Sequence, residues 1–169
     1  REIILALNWS SFEKLPGDCR INFENLCRGI TRAHWAQYGQ FLALKNQPGV
    51  EFHLNLLKNS PLLGDASRWY GWQCKKFDLT QSGNLTASSK GQITDSLNKT
   101  VRYLPDLTDW VLWTPYTLSK SDQTWFKALE SNYPYDLHMW ADEEIENNLS
   151  GPALMLRDTY FGELVVTPE

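Results

Sequence analysis

The sequence is poor in cysteine and in long apolar runs, and each shortage excludes a class of protein. Its 169 residues contain three cysteines at no metal-ligand spacing, which argues against a disulfide framework and against a zinc site. We therefore expect a reducing compartment, the cytoplasm by default. No window approaches the ~20 apolar residues of a membrane helix, so the chain is predicted not to span a bilayer. Residues 3–7 are apolar but too few for a signal peptide.

The sequence also lacks an excess of positive charge. Lys and Arg number 16 against 20 Asp and Glu, which gives a formal net charge of −4. Proteins that bind nucleic acid on their own usually have a basic balance. Either nucleic acid is not the ligand, or other regions supply much of the affinity for phosphate.

Aromatic residues, by contrast, are abundant. The chain has eight Trp, seven Tyr and seven Phe within a hydrophobic content of 42%. A chain of this length buries about two-thirds of its unfolded surface. We therefore assign most of the aromatic rings, and Cys27 and Cys74, to the core rather than to base stacking. Because the sequence begins with Arg1 rather than Met, residues 1–169 are expected to be a single domain taken from a longer protein.

Two stretches with a period of two, residues 50–56 and 69–76, organise the chain. They are joined by a turn-rich connection through residues 59–65. The pattern predicts two strands that each have one apolar face. The apolar faces consist of Val50, Phe52, Leu54 and Leu56 on the first strand and of Tyr70, Trp72 and Cys74 on the second.

The polar faces of these strands are the strongest candidate for a site. If the strands pair over one core, a set of polar side chains converges on the other side. The set comprises Glu51, His53, Gln73 and Lys75. Gly71 lies among them and is expected to leave room for a ligand. The alternative is an ordinary solvated strand face.

The remaining elements follow from hydrophobic periodicity and capping residues. Helices are predicted over about 23–38 (with Asn22 as N-cap), over 91–104, from Ser119 through Leu129, and from Asp142 as cap of a short acidic helix. Further strands are predicted at 40–44, 110–114 and 137–140, and residues 78–91 are predicted to be a loop. This order predicts an α/β fold with a mixed sheet flanked by helices.

Two regions stay open at this stage. Residues 1–21 are predicted to be a short helix or lead-in, and residues 153–167 hold two apolar pieces of uncertain type. On the predicted helix 91–104, the apolar positions include Ile93, Leu97 and Val101. We interpret Lys90, Lys99 and Arg102, outside that apolar stripe, as solvated, with phosphate binding as the alternative.

Short motifs resemble the PD-(D/E)XK nuclease superfamily, in particular its Mrr-like restriction endonuclease branch. The sequence Phe23-Glu24-x-Leu26 resembles the first helix of that branch. Gly49-Val50-Glu51 resembles its glycine-flanked acidic strand, and Gln73-Cys74-Lys75 resembles its Q-x-K variant. The next predicted helix and strand fall where that fold has them, so the resemblance covers most of the chain. It implies a restriction-endonuclease-like mixed β-sheet flanked by α-helices.

The resemblance implies a DNA endonuclease that depends on Mg²⁺ or Mn²⁺. It makes Glu51 the principal metal ligand, with the amide oxygen of Gln73 and the main-chain carbonyl of Cys74 as further ligands. Lys75 would orient the attacking water and stabilise charge on the phosphate. Glu24 would bind the metal through water. Mg²⁺ prefers oxygen ligands and retains several waters, so few protein ligands suffice.

Two departures from the family pattern bear on this assignment. Glu51 stands where many relatives carry Asp, and Gln73 stands where many carry a second acid, which removes one negative charge from the metal site. Asp65, just before the second strand, is a rival for the acidic role. If Asp65 is the ligand, Glu51 is only a surface residue.

Mrr-like domains commonly act as cutting modules of larger bacterial defence proteins, including modification-dependent restriction systems and antiviral STAND-type NTPases. The resemblance therefore implies double-stranded DNA as partner, fused or associated sensor or NTPase regions, and activity as a dimer or higher oligomer. The main alternative is a catalytically inactive domain of the same fold that binds nucleic acid or mediates assembly, which Gln73 and the negative charge favour. A third possibility is a hydrolase of another phosphate ester.

Overall fold

The computed structural model describes residues 7–43 and 45–162, and this part of the chain contains a five-stranded mixed sheet. The strands are β1 (Gly39–Leu42), β2 (Phe52–Leu56), β3 (Trp69–Cys74), β4 (Asp109–Trp113) and β5 (Asp136–Trp140), in that spatial order. The pairs β1–β2 and β2–β3 are antiparallel, whereas the pairs β3–β4 and β4–β5 are parallel. The prediction of an α/β fold with a mixed sheet is confirmed.

Helices cover both faces of this sheet. They are α1 (Trp9–Glu13), α2 (Cys19–Trp35), α3 (Ala87–Tyr103), α4 (Lys120–Ala128), α5 (Asp142–Asn148) and α6 (Leu154–Phe161). Short 3-10 turns lie at Ala36–Tyr38, Leu129–Asn132 and Gly151–Ala153. Within residues 7–43 and 45–162, no helix has both the length and the apolar character to cross a membrane.

Two hydrophobic cores sandwich the sheet, one on each face. The first contains the predicted apolar faces of β2 and β3 together with buried side chains of α2, among them Phe23, Leu26 and Ile30. The second contains Ile93 and Leu97 of α3 with side chains of β4 and α4. The aromatic rings pack mainly in these cores, as predicted.

The second core changes the interpretation of the polar strand face. Val50 precedes β2 and packs in the second core, so its predicted place beside Phe52 is wrong. Gln73 is 4% exposed and His53 is 7% exposed, because α3 and its neighbours cover this face. The alternative of an ordinary solvated strand face is therefore excluded.

The helix that carries Glu24 begins earlier than predicted. Asp18 rather than Asn22 caps α2, and its side chain accepts a hydrogen bond from the Arg20 amide at 2.8 Å. Both residues are good caps, and the first turn of α2 is too polar to reveal the start from periodicity alone. The helix ends at Trp35, three residues short of the predicted end, and continues as a 3-10 turn.

Helix α3 also begins inside the predicted loop. Thr86 caps it by accepting a hydrogen bond from the Ser89 amide at 3.0 Å. Thr100 is buried while Val101 is 38% exposed, so the predicted core position of Val101 is wrong. The buried stripe runs through Ile93, Leu97 and Thr100 instead.

The other boundaries differ by one or two residues. Strand β1 ends at Leu42, and the predicted end at Leu44 falls outside the described residues. Strand β5 begins at Asp136, and Ala141 rather than Asp142 precedes the first turn of α5. Residues 154–161 are helical, whereas the apolar pieces at 3–5 and 164–166 fall outside the described residues.

A glycine fixes the loop that leads into β2 against α3. Gly49 has φ +87°, and a Cβ there would lie 2.3 Å from the Thr100 Oγ1 and 2.7 Å from the Thr100 amide nitrogen. Only glycine fits this contact without displacing the helix backbone. The residues just after Gly49, including Glu51, are thereby held at a set distance from α3.

Candidate active site

Glu51 and Lys75 meet at one end of the antiparallel pair β2–β3. Glu51 directly precedes β2 and Lys75 directly follows β3. The backbone N–H of Glu51 donates to the Trp72 carbonyl at 2.8 Å, which continues the strand pairing. The Lys75 Nζ lies 3.8 Å from the Glu51 Oε1.

Two donors from β3 hold the Glu51 carboxyl group. The Gln73 Nε2 donates to its Oε1 at 3.0 Å, and the Cys74 amide donates to its Oε2 at 2.7 Å. The structure thus brings together Glu51, Gln73, Cys74 and Lys75. The Gln73 amide presents its nitrogen rather than its oxygen to Glu51.

Glu24 on α2 is the second carboxyl group at this point. It is half-buried and lines one cavity with Lys75 and another with Glu51. Burial raises the pKa of Glu24, although the charges of Lys75 and Arg28 oppose the shift. The structure therefore places Glu24 beside the Glu51 cluster, as predicted.

The pKa of Glu51 lies far above its ordinary range. Its side chain is 17% exposed. Burial raises the pKa of Glu51 to about 8, and the nearby charge of Glu24 adds to the shift, while Lys75 and the Cys74 amide oppose it. A pKa of about 8 favours the protonated form of Glu51 near neutral pH when no cation is bound.

Three adjoining cavities open onto this cluster. The first, of about 640 Å³, lies between the starts of α2 and α3 and includes Glu24 and Lys75. The second, of about 430 Å³, is lined by Glu51 and Lys75 together with residues of α3. The third, of about 530 Å³, includes Glu24 and Glu51. The cluster therefore lies where an extended ligand can reach it from several directions.

His53 does not join the cluster. Its Nδ1 accepts a hydrogen bond from the Trp69 Nε1 at 3.1 Å, and burial lowers the pKa of His53. It pairs with Gly71 within the sheet. The predicted convergence of His53 on the site is wrong, because its side chain is buried and bonded to Trp69 instead.

Asp65 and Gly71 do not have the roles expected of them. Asp65 is exposed in the loop before β3, at the opposite end of that strand from Lys75. A Cβ on Gly71 would lie 2.7 Å from the Leu107 Cδ1 and 2.9 Å from the Val50 Cγ1. The space beside Gly71 is therefore filled by core side chains and leaves no room for a ligand.

The oxygen atoms of this site are the type of ligand that a hard divalent cation prefers. Glu51 and Glu24 offer carboxylate oxygens, and burial raises the pKa of each even though Lys75 opposes the shift. Across residues 7–43 and 45–162, no group of three or more His, Cys, Asp or Glu side chains is placed to hold a metal. Few protein ligands and retained water are what Mg²⁺ tolerates.

Sequence reasoning missed two features of the structure. Ser96 and Tyr103 line the second cavity with Lys99. Their spacing of i, i+3 and i+7 on one helix face was the available signal. The other feature is a cluster at the far end of β3, where the Arg68 Nη2 lies 2.6 Å from carboxylate oxygens of both Asp109 and Asp136.

Comparisons with known proteins give little further guidance. No protein-family model matches the chain, and no curated protein matches it. One solved structure that matches is the MspJI restriction endonuclease in complex with a 27-mer oligonucleotide, at a TM-score of 0.45 and 16% sequence identity. The match covers 83% of this chain and 29% of that chain, so this chain spans less than a third of its length. A likeness at this level assigns neither family nor function here.

Proposed function

We propose that this chain is a metal-dependent DNA endonuclease domain of the PD-(D/E)XK type, in its Mrr-like Q-x-K form. The observation that carries the proposal is the contact of Glu51 with Gln73, the Cys74 amide and Lys75 in one cleft. Phosphodiester hydrolysis needs an acidic metal ligand and a cation beside the scissile phosphate. Glu51 and Lys75, 3.8 Å apart, supply this pair.

Mg²⁺ or Mn²⁺ would be held by Glu51, with Glu24 near enough to act through water. The carbonyl of Cys74 is a further donor, and the Gln73 amide would turn to offer its oxygen. When bound, such a cation would supply Lewis-acid chemistry, polarising the phosphate and making a bound water more acidic. Because Glu51 is protonated near neutral pH without metal, cation binding would release its proton.

Lys75 has the central role among the groups of the chain itself. Its side chain is 34% exposed, so the ammonium can reach both Glu51 and a phosphate in the cleft. In that position it orients the attacking water by a hydrogen bond. It also stabilises the negative charge that develops on the phosphate oxygens in the transition state.

The proposed partner is double-stranded DNA. A net charge of −4 makes the domain a weak binder on its own, so fused or associated sensor or NTPase regions of a bacterial restriction or antiphage system would supply affinity and control. A duplex presents two scissile strands of opposite polarity. Cutting both strands with one site per chain therefore calls for a dimer or higher oligomer.

Nicking of supercoiled plasmid tests this function. The 169-residue chain should cut DNA with Mg²⁺ or Mn²⁺ and stop when EDTA removes the metal. Lys75→Ala should cut at least about 100-fold more slowly, whereas Lys58→Ala, at the opposite end of β2, should match wild type. Cutting that persists in EDTA, or an undiminished rate in Lys75→Ala, would contradict the proposal, as would a lack of cutting even when the chains are dimerised artificially.

A catalytically inactive nucleic-acid-binding domain is the second candidate. It is favoured by the hydrogen bond from Gln73 to Glu51, which satisfies the carboxyl group without any metal. In that case the wild type would bind DNA without cutting it. Replacing Gln73 by Glu would then be the direct way to restore a metal site, and Mg²⁺ binding by this variant but not by wild type would support the inactive form.

A further inference from the structure

The second cavity has a wall that the proposed chemistry does not use. Ser96, Lys99 and Tyr103 lie on one face of α3 and line this cavity. The opposite wall is formed by Glu51, Gln73 and Lys75. A ligand held at Glu51 would therefore extend along this face of the helix.

Charge distinguishes the second cavity from its two neighbours. The lining of the first cavity has three acidic and three basic residues, and that of the third has two of each. The second has Lys75 and Lys99 against Glu51 alone. In a chain with a net charge of −4, the second cavity is therefore the one of the three that attracts a phosphate.

The wall has a fixed position relative to the site. Gly49 packs against Thr100, and a Cβ at Gly49 would lie 2.3 Å from the Thr100 Oγ1. The same hydroxyl accepts a hydrogen bond from the Trp110 Nε1 at 3.1 Å, which ties α3 to the sheet. Lys99 and Tyr103 are thus held by the same packing that positions Glu51.

The side chains of the wall are available to a ligand. Lys99 forms an ion pair with Asp95 at 3.1 Å, but both side chains are more than half exposed, so a phosphate can compete for the ammonium. Tyr103 is 54% exposed, and the Arg102 guanidinium lies 5.7 Å from its ring centre. An exposed aromatic ring beside cations suits stacking on a nucleobase.

We propose that Ser96, Lys99 and Tyr103 form a subsite for one nucleotide flanking the scissile phosphodiester. Lys99 and the Ser96 hydroxyl bind its phosphate, and the Tyr103 ring stacks on its base. The subsite rests on the proposed function, since Glu51 and Lys75 define the scissile position. Stacking needs a base outside the duplex stack, so this subsite prefers single-stranded or locally unpaired nucleic acid.

Fluorescence anisotropy with three labelled DNA probes tests the subsite. The probes are a single strand, its blunt duplex and the same duplex with one unpaired base, each with Ca²⁺ in place of Mg²⁺. Lys99→Gln should weaken binding of all three by roughly 3- to 10-fold. The plot of the log association constant against log salt concentration should become less steep by about 0.7–0.9. Tyr103→Leu should weaken binding of the single strand and the unpaired-base duplex by about tenfold, and of the blunt duplex hardly at all.

Lys58→Gln is the matched control, because it removes one exposed lysine from the opposite end of β2. If both α3 variants bind like this control while Lys75→Ala abolishes cutting, the subsite is overturned and the proposed function stands. Equal weakening by Tyr103→Leu on every probe would overturn the assignment of its ring to an unpaired base. If wild type neither binds a probe nor cuts plasmid, both proposals are overturned.

Discussion

Two buried carboxyl groups lie at opposite ends of β3 and have opposite electrostatic environments. Asp109 is 1% exposed and contacts the Arg68 guanidinium at 2.6 Å and the His138 Nε2 at 2.7 Å. Burial alone would raise the pKa of Asp109, but hydrogen bonds from His138, Arg68 and Thr108 outweigh it and lower the pKa below its ordinary value. Glu51, with Lys75 no closer than 3.8 Å and Glu24 nearby, has its pKa raised to about 8.

The difference separates a structural carboxylate from a functional one. Asp109 begins β4 and, through Arg68 and His138, ties the start of β3 to β5. Its charge is matched within the protein, so it needs no ligand. Glu51 has no cation as close as Arg68 is to Asp109, so burial dominates and raises its pKa, which is typical of functional sites. Substitutions at the two ends should therefore have opposite effects.

The largest effect is expected for Lys75→Ala. Loss of a cation that stabilises transition-state charge should lower the cutting rate by about 100- to 1,000-fold. The free energy of unfolding should change by less than about 0.5 kcal/mol, since the Lys75 side chain is 34% exposed. Plasmid nicking and thermal unfolding measure the two quantities. Parallel losses of activity and stability would identify Lys75 as a structural residue.

The opposite pattern is expected for Arg68→Ala. It leaves the buried Asp109 with hydrogen bonds from His138 and Thr108 but without its guanidinium, and it should destabilise the fold by about 2 kcal/mol, less than a fully buried pair because Arg68 is 32% exposed. The rate of cutting per folded molecule should not change. Urea unfolding gives the stability. Unchanged stability would mean that Asp109 is not a structural anchor.

Glu51→Gln should stabilise the metal-free protein at alkaline pH. Between the ordinary carboxyl pKa of 4.5 and about 8, the folded state holds the Glu51 proton more tightly than the unfolded state. Wild-type stability therefore falls as pH rises through this window, whereas glutamine cannot ionise. We expect a gain of about 1–2 kcal/mol at pH 8 and almost none near pH 5.

Urea unfolding in EDTA at the two pH values measures this gain. The variant should lose cutting activity even though it is more stable. A loss of stability at both pH values would show that the negative charge of Glu51 is already matched within the protein.

The smallest effect is expected for Asp136→Asn. Asp136 shares Arg68 with Asp109, but its side chain is 64% exposed. A surface ion pair contributes about 0.2–1 kcal/mol, so the free energy of unfolding should fall by no more than that. A loss as large as that of Arg68→Ala would mean that the whole Arg68 cluster acts as one unit.

The sequence predicts which residues form the site, but it does not show which side chains pack around them. Alternation over residues 50–56 and 69–76 predicts the pair β2–β3, and the antiparallel pairing then brings Glu51 to Lys75. The burial of His53 and the filled space beside Gly71 were missed, because the strand pattern does not show that Val50 and Leu107 pack beside Gly71 or that Trp69 contacts His53. The pair Arg68–Asp136 spans 68 positions, and no local pattern indicates it.

Titration of Mg²⁺ into the protein by calorimetry, in buffers of different ionisation enthalpy near neutral pH, tests the central claim most directly. If Glu51 is the ligand and is protonated without metal, binding should release close to one proton per cation. Asp136→Asn should bind Mg²⁺ like wild type. Glu51→Gln should bind Mg²⁺ more weakly than wild type and release no proton. Absence of Mg²⁺ binding by wild type, binding without proton release, or equal binding by Glu51→Gln would contradict the account.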